Sequence, residues 1–422
     1  MKKLLPALLL SAVLLGGAPA LPAYAATNTP TPAILLDGVP LAFPVSPRII
    51  DGRTMVPFRA IAEALGVTVT WHEETRSIEA AGLGVNVGLA IGNKTLWVNG
   101  ETKPLDVAPM IVEERTLIPL RAFSSAFNAE VGWNGETYTV TIKSPAQPMR
   151  TMAFYALRSY AERQYVSRFS DVAYGWSTLL PDGALDTTTK EYRWPEADGT
   201  VTGDSMLAEA ARAGTKRHLM VHATDKDDSL TALVLDPAKR DRAAGAIAAA
   251  VREKGFDGVV LDLEGLGLQE SGSQLKLIRT GFVELIKAVA GRLHPAGKQV
   301  IVAVHPPNGA YHAYDYAALM PHVDLLQVMA YDYVQDGNPE PINRVVEAIE
   351  LSLSEVGATD RNSPLRQKLM LGLVAAYETP ETIPQKVGLA KRYGLGGIFV
   401  WRLGQLGTDG MAALESTVSA SK

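Results

Sequence analysis

FDGVVLDLEGL, residues 256–266, reads as a buried strand, yet it carries three acids. Buried strands are normally runs of Val, Ile and Leu, because an unpaired charge in a low-dielectric interior costs several kcal/mol. Side chains alternate faces along a strand, so Val260, Asp262 and Glu264 share one face while Val259, Leu261 and Leu263 share the other. The second face is apolar throughout, and the first turns acidic at its C-terminal end. Asp257 has the opposite parity and reads as a strand-entry or turn residue.

From about residue 150 onward the chain repeats this kind of segment. MAFYAL (152–157), VAYGW (172–176), HLMVHA (218–223), GVVLDLE (258–264), VIVAVHP (300–306), LLQVMAYDY (325–333), LMLGLVAAY (369–377) and GGIFVW (396–401) make eight strand candidates. Amphipathic stretches such as DRAAGAIAAAVREKG (241–255) and LKLIRTGFVELIKAVAGRL (275–293) lie between them. Alternation of this kind predicts an α/β fold, a (β/α)8 TIM barrel, whose functional groups gather at the C-terminal ends of the strands. Asp262 and Glu264 fall at such an end.

Two further strands place matching groups there. Leu325, Gln327, Met329 and Tyr331 share parity, so a polar-tipped aromatic emerges at a strand end, followed at once by Asp332. Gly397, Phe399 and Trp401 share a face on the last strand. Carboxylates beside aromatic platforms suit a sugar ring, which presents hydroxyls and apolar C–H faces. Tyr155, Tyr174, Trp176 and Tyr377 also fall near strand ends and are subsite candidates. His222 and His305 do too, but there is no HExxH and no ligand spacing, so packing or substrate hydrogen bonding is expected of them and no metal is assigned.

These residues carry a resemblance. FDGVVLDLE resembles the DGxDxDxE signature of glycoside hydrolase family 18, MAYDY its MxYD strand, and GGIFVW its final strand. The likeness spans about residues 150 to 410 and is nearest to the bacterial, chitinase-like branch associated with cell walls and spore envelopes. It implies substrate-assisted catalysis, an exception to two-carboxylate schemes. Glu264 would be the general acid, Asp262 would orient the substrate's acetamide, and Tyr331 would hydrogen-bond the acetamide carbonyl. Asp332 and Trp401 would bind substrate, and Met329, Tyr377 and Tyr155 are further substrate-binding candidates from their strand positions. Val260 departs from the pattern, since the family usually has an inward Asp there.

Residues 33–142 contain an internal repeat with an offset of 62: GRTMVPFRAIAEALGVTVTW (52–71) lies over ERTLIPLRAFSSAFNAEVGW (114–133). Pro57 and Pro119 suit helix entries, and Gly66 and Asn128 suit the C-terminal caps. The module is therefore expected to be a duplicated α+β domain. It resembles the copper amine oxidase N-terminal type, or stalk domain. His72 is its single histidine, so no copper is assigned, and a spacer or wall-proximal scaffold is expected. KSPAQPMR (143–150) has the composition of a linker, placing a linker at 143–149 and the barrel at 150–422.

The first 25 residues have the three-part layout of a secretory signal peptide: Lys2 and Lys3, an apolar stretch, then Ala23-Tyr24-Ala25 as a cleavage site. No second long apolar run follows, so no membrane association is expected after cleavage, and the protein is expected outside the cell or at the cell wall. The 422 residues contain no cysteine, which excludes disulfides, thiolate metal sites and cysteine nucleophiles. Removing Lys2 and Lys3 takes the formal charge from −5 to −7, a balance that does not favour nucleic acid. The expected protein is a secreted glycosidase acting, without a cofactor, on β-1,4-linked N-acetylglucosamine glycans, either chitin-type or peptidoglycan, with the cell wall as a further partner through the stalk. The second reading is a non-catalytic glycan-binding protein on the same scaffold. Lectin-like relatives commonly lose the acid that this chain keeps at Glu264, which separates the two.

Overall fold

The computed structural model describes residues 31–334 and 337–422; the expected signal peptide, 1–25, lies outside them. Eight parallel strands close on themselves: β1 (Gln147–Tyr155), β2 (Asp171–Leu179), β3 (Lys216–Thr224), β4 (Gly258–Glu264), β5 (Gln299–Val304), β6 (Leu325–Val328), β7 (Leu369–Val374) and β8 (Gly397–Trp401). Each pairs with the next, and β1 pairs with both β2 and β8. Every strand is covered on both faces, which is why their sequences run apolar. Met152, Met220, Val260, Ile301, Met370 and Phe399 fill the barrel interior, and a separate, larger core joins the barrel to its helices.

The helices follow from local sequence. Asp236 caps Pro237–Glu253 by accepting the N–H groups of Ala238 and Lys239 at 2.8 and 3.3 Å, with Pro237 in the first turn. Gly272–Leu293 buries Ile278, Phe282, Leu285, Ile286 and Val289 along one stripe. Gly281 in that stripe has no substitute, since a Cβ there would stand 2.2 Å from the Val234 carbonyl oxygen. At the closed end of the barrel, buried Asp171 takes a bidentate pair from Arg150 (2.8 and 2.6 Å) and a contact of 2.8 Å from His218. Asp257, at the entry to β4, accepts the backbone N–H and two guanidinium nitrogens of Arg217 at 2.9, 2.9 and 3.1 Å. Its carboxyl is held below the usual range by those bonds, against the opposing effect of burial.

In the stalk the two sequence copies fold alike. Arg53–Pro57 leads into the helix Phe58–Ala64 and the strand Thr68–His72; Arg115–Pro119 leads into Leu120–Ala126 and Glu130–Asn134. Pro57 and Pro119 sit at the helix entries, and Gly66 (φ +73°) and Asn128 (φ +61°) take the left-handed turn after each helix. The two copies meet strand to strand, Leu117 opposite Pro57 and Pro119 opposite Met55, in antiparallel register. The stalk's ends meet as well: Ala33–Leu36 pairs in parallel with Thr139–Lys143.

The expected linker is mostly strand, because Lys143 ends one ladder and β1 begins at Gln147. Ser144 is tied into a buried junction. Its N–H and hydroxyl bond the Asp37 carboxylate at 2.8 and 2.7 Å, while the Lys391 ammonium donates to its hydroxyl at 2.6 Å and to the Pro145 and Thr417 carbonyls at 3.2 Å. Lys391 belongs to the barrel helix Thr382–Tyr393. Gly388 on the same helix leaves room for Asp37, since a Cβ there would come within 2.6 Å of it.

Candidate active site

The open end of the barrel holds a cavity of about 770 Å³ whose lining includes Asp262, Glu264, Met329, Tyr331, Asp332, Tyr377 and Trp401. Seven of the eight residues expected from the sequence thus converge. Tyr155 does not join them. Phe154 is the inward residue of β1, and Tyr155 packs 5.5 Å from Tyr174 and 6.2 Å from Trp176 in the core outside the barrel. The subsite reading of Tyr155, Tyr174 and Trp176 is therefore corrected: their strand positions turn them toward the helices.

Asp262 and Glu264 end β4 on its inward face, as alternation requires. Asp262 is only 3% exposed, and Glu264 is half-buried. The two carboxyl groups are neighbours on one face of the strand, and burial raises the pKa of both. The charge of Glu264 raises Asp262 further; at Glu264 the neighbouring Asp262 and Lys226 lower the value and Asp332 raises it. A proton is thereby kept on the pair where isolated carboxyls would have lost it. Asp262 Oδ1 has no hydrogen-bond partner among the described residues. No Lys or Arg lies within ion-pair distance of either acid among the described residues. Among the described residues the two acids are therefore not held in a buried ion pair, the structural alternative to a reactive pair.

Two imidazoles border the acids. His305 Nε2 stands 3.7 Å from Glu264 Oε2, and ligand-type atoms of His222, Asp262 and Glu264 lie within 4.8 Å of one another. Burial pushes both histidines down to about 4, with Lys226 adding to the effect at His222, so both are neutral near pH 7. His222, Asp262 and Glu264 are the group that could hold a cation among the described residues, although the proton held by the acids competes with any metal. The rings of Tyr192 and Tyr311 lie against His222 and His305 at 4.1 and 4.2 Å.

Tyr331 arrives by a route that strand alternation does not describe. β6 ends at Val328, and tight turns bond Ala330 N–H to the Val328 carbonyl and Tyr331 N–H to that of Met329 at 2.9 and 2.8 Å. Asp332 then adopts φ +62°. The buried Glu340 fixes this turn, its two oxygens accepting the N–H groups of Asp332 and Tyr333 at 2.7 and 3.1 Å. Burial, then the charges of Asp262, Glu264 and Asp332, push the Tyr331 hydroxyl well up, so it stays a donor. Tyr314 anchors the end of β4 through a 2.8 Å bond to the Leu263 carbonyl. Glu340, Tyr192 and Tyr314 sit in connections without periodicity, and no local pattern marks them. Val260 is fully buried in the barrel interior beneath the acids.

A closed (β/α)8 barrel with paired acids and aromatic walls at its open end defines a glycoside hydrolase. The family model for glycosyl hydrolases family 18 matches residues 150–374, from β1 to the end of β7, and the chain belongs to that family. Residues 35–142 match the copper amine oxidase N-terminal domain. Among solved structures, a chitinase from Chromobacterium violaceum superposes with a TM-score of 0.52 at 18% identity, covering 64% of this chain and 98% of that one. The C-terminal domain of a chitinase-like protein from Desulfitobacterium hafniense gives 0.53 at 16%, covering 64% and 98%. The spore cortex-lytic enzyme SleL of Bacillus cereus gives 0.51 at 17%, covering 66% and 77%. At these identities the likeness is one of fold. No curated protein matches the chain.

Proposed function

We propose that the protein is a secreted, cell-wall-associated glycosidase that hydrolyses β-1,4-linked N-acetylglucosamine glycans, of chitin or peptidoglycan type, by substrate-assisted retaining catalysis. The observation that supports it most is the Asp262–Glu264 pair, which faces the cavity, is raised in pKa by burial and has no Lys or Arg within ion-pair distance among the described residues. Glu264 donates its proton to the glycosidic oxygen. As the C1–O bond breaks, the carbonyl oxygen of the substrate's own 2-acetamido group bonds to C1. Asp262 orients that acetamide and offsets the positive charge of the oxazolinium that forms, while the Tyr331 hydroxyl donates to the carbonyl oxygen. Water, deprotonated by Glu264, then opens the ring from the face the leaving group left, so configuration is retained. Trp401 and Tyr377 offer aromatic faces to the sugars, with Met329 and Asp332 along the same wall.

The stalk in this reading is a wall-proximal spacer. Incubation with N-acetylglucosamine oligomers and with peptidoglycan strands, followed by mass spectrometry and by NMR of the first-formed anomer, tests the proposal. A β-anomer released at an N-acetylglucosamine linkage is expected. An α-anomer would refute the mechanism, and binding without any product would refute the activity.

A further inference from the structure

The stalk repeat supplies its own control for one side chain. Trp71 and Trp133 hold the same place in the two copies, 62 positions apart, opposite Ile78 and Val140 on the neighbouring strands. Their surroundings differ. Trp71 packs against the stalk core, and its Nε1–H donates to Glu73 Oε2 at 2.6 Å. Trp133 is 44% exposed, lies outside that core and has no partner for Nε1 among the described residues. At the place of Glu73 the second copy has Gly135, where an added Cβ would stand 3.4 Å from Trp133 Nε1. The donor is kept and its acceptor is not. Trp133 borders a cavity of about 460 Å³ lined by residues of both copies, a volume usual for ligand sites. Leu120, Val131 and the indole are its apolar walls, and Arg53, Asp106 and Arg121 its charged ones. Arg53 and Asp106 are taken up with each other at 2.6 Å, whereas Arg121 is exposed and makes no hydrogen bond or ion pair among the described residues. Tyr138 braces the indole edge to face, with centroids 5.6 Å apart at 79°, so the ring has little freedom to lose on stacking. The groups left open are thus one aromatic face and the N–H donors beside it.

We propose that this stalk cavity is a glycan-binding site of its own, in which an N-acetylated sugar ring stacks on Trp133 and accepts hydrogen bonds from its Nε1–H and from Arg121. This goes beyond the spacer role given to the stalk above, and only the choice of polymer rests on the glycosidase reading. A pyranose ring has an apolar C–H face for the indole. Its acetamide carbonyl and hydroxyl oxygens are acceptors set around the edge of that face, where the unmatched donors lie. The ion pair of Arg53 with Asp106 leaves no lone carboxylate in the wall to repel them or compete for the donors. Binding one polymer at the stalk as well as at the barrel raises the concentration of strand that the catalytic cavity meets.

The test uses the full chain labelled with 15N, as Glu264→Gln so that ligand is not consumed, and follows the indole N–H signals assigned by single Trp→Phe substitutions. An N-acetylglucosamine oligomer and a sugar-free stem peptide are the two titrants. The oligomer is expected to move the Trp133 signal saturably and to leave that of Trp71 in place. Arg121→Gln and Gly135→Glu keep the reporting indole and alter exposed positions; each should raise the Kd read from it about 3- to 10-fold, the second by giving Nε1–H an acceptor within the chain. The wild-type chain titrated with the monosaccharide, which has no bond to cleave, repeats the reading if Glu264→Gln does not fold. Trp401 reports the catalytic cavity in the same spectrum. A shift at Trp133 without one at Trp401 upholds the stalk site even if the glycosidase reading fails. A shift at Trp401 alone, or at neither, overturns it. A Trp133 signal moved by the peptide and not by the sugar overturns the ligand class, and a Kd unchanged in both variants overturns the assigned contacts.

Discussion

His305 Nε2 lies 3.7 Å from Glu264 Oε2, yet the two are not an ion pair at neutral pH, because burial pushes the imidazole down to about 4 and the carboxyl up. Glu264 is thereby left as an acid beside a neutral base, with no Lys or Arg within ion-pair distance among the described residues. Loss of this group is expected to be a chemical lesion rather than a structural one. Glu264→Gln should lower kcat by about 10²- to 10⁴-fold while keeping the melting temperature and oligosaccharide affinity near wild type. Turnover, calorimetry and thermal unfolding on one preparation check this. A drop in stability matching the drop in rate would contradict it.

The alkaline limb of the pH profile should respond to charges around Glu264. The acid works while protonated, so kcat/KM falls as pH rises through its raised pKa. Asp332 raises that value and Lys226 lowers it. Asp332→Asn should therefore move the alkaline limb to lower pH, and Lys226→Met should move it to higher pH. Profiles of the two variants shifting in one common direction would contradict this.

The histidines link stability to pH in the opposite sense. Their folded values, about 4, lie below the ordinary 6.5, so between these values the unfolded chain binds protons that the folded imidazoles refuse. Stability contributed in this way is present above pH 6.5 and is lost as pH falls toward 4. His305→Gln removes one of the two contributions, so the decline in unfolding free energy over this window should be shallower. Urea unfolding at several pH values across it provides the measurement.

Glu340 touches no expected substrate group, yet it holds the turn that delivers Tyr331 and Asp332. Glu340→Ala should lower kcat/KM by about 10- to 100-fold through misplacement of these residues. Glu340→Gln, which retains one acceptor oxygen, should recover part of the loss. Equal losses in both variants would point to charge rather than positioning.

At the stalk junction, Asp37 and Lys391 bracket Ser144, and all three are buried. Removing the negative partner with Asp37→Ala should cost about 3 to 5 kcal/mol by leaving the ammonium uncompensated. Combining it with Lys391→Met should restore much of this, which a double-mutant cycle in denaturant would measure.

The sequence was most informative where chemistry broke a pattern. Asp262 and Glu264 interrupt an otherwise apolar strand, so their shared face could be read directly, and the stalk repeat marked its own prolines and caps. In β1 nearness to the strand end picked out Tyr155, whereas the residue that lines the cavity is Phe154. Both faces of a barrel strand are buried, so MAFYAL is apolar on both and its alternation carries no sign of which face is inward. At Tyr331 alternation reached a residue that lines the cavity although the strand had already ended at Val328, where the local turns take over. Glu340 acts across a connection, through backbone N–H groups that any residue supplies, and so leaves no trace in composition.

The parallel pairing of Ala33–Leu36 with Thr139–Lys143 has a mechanical meaning. The chain enters the stalk at one end of this ladder and leaves for the barrel at the other. Tension between the chain's two ends therefore drags the two strands along each other, and the four paired positions bear the load together instead of opening one after another. A pull applied at Ala33 and at Lys143 would therefore meet this ladder in shear, the direction in which all its bonds must give at once.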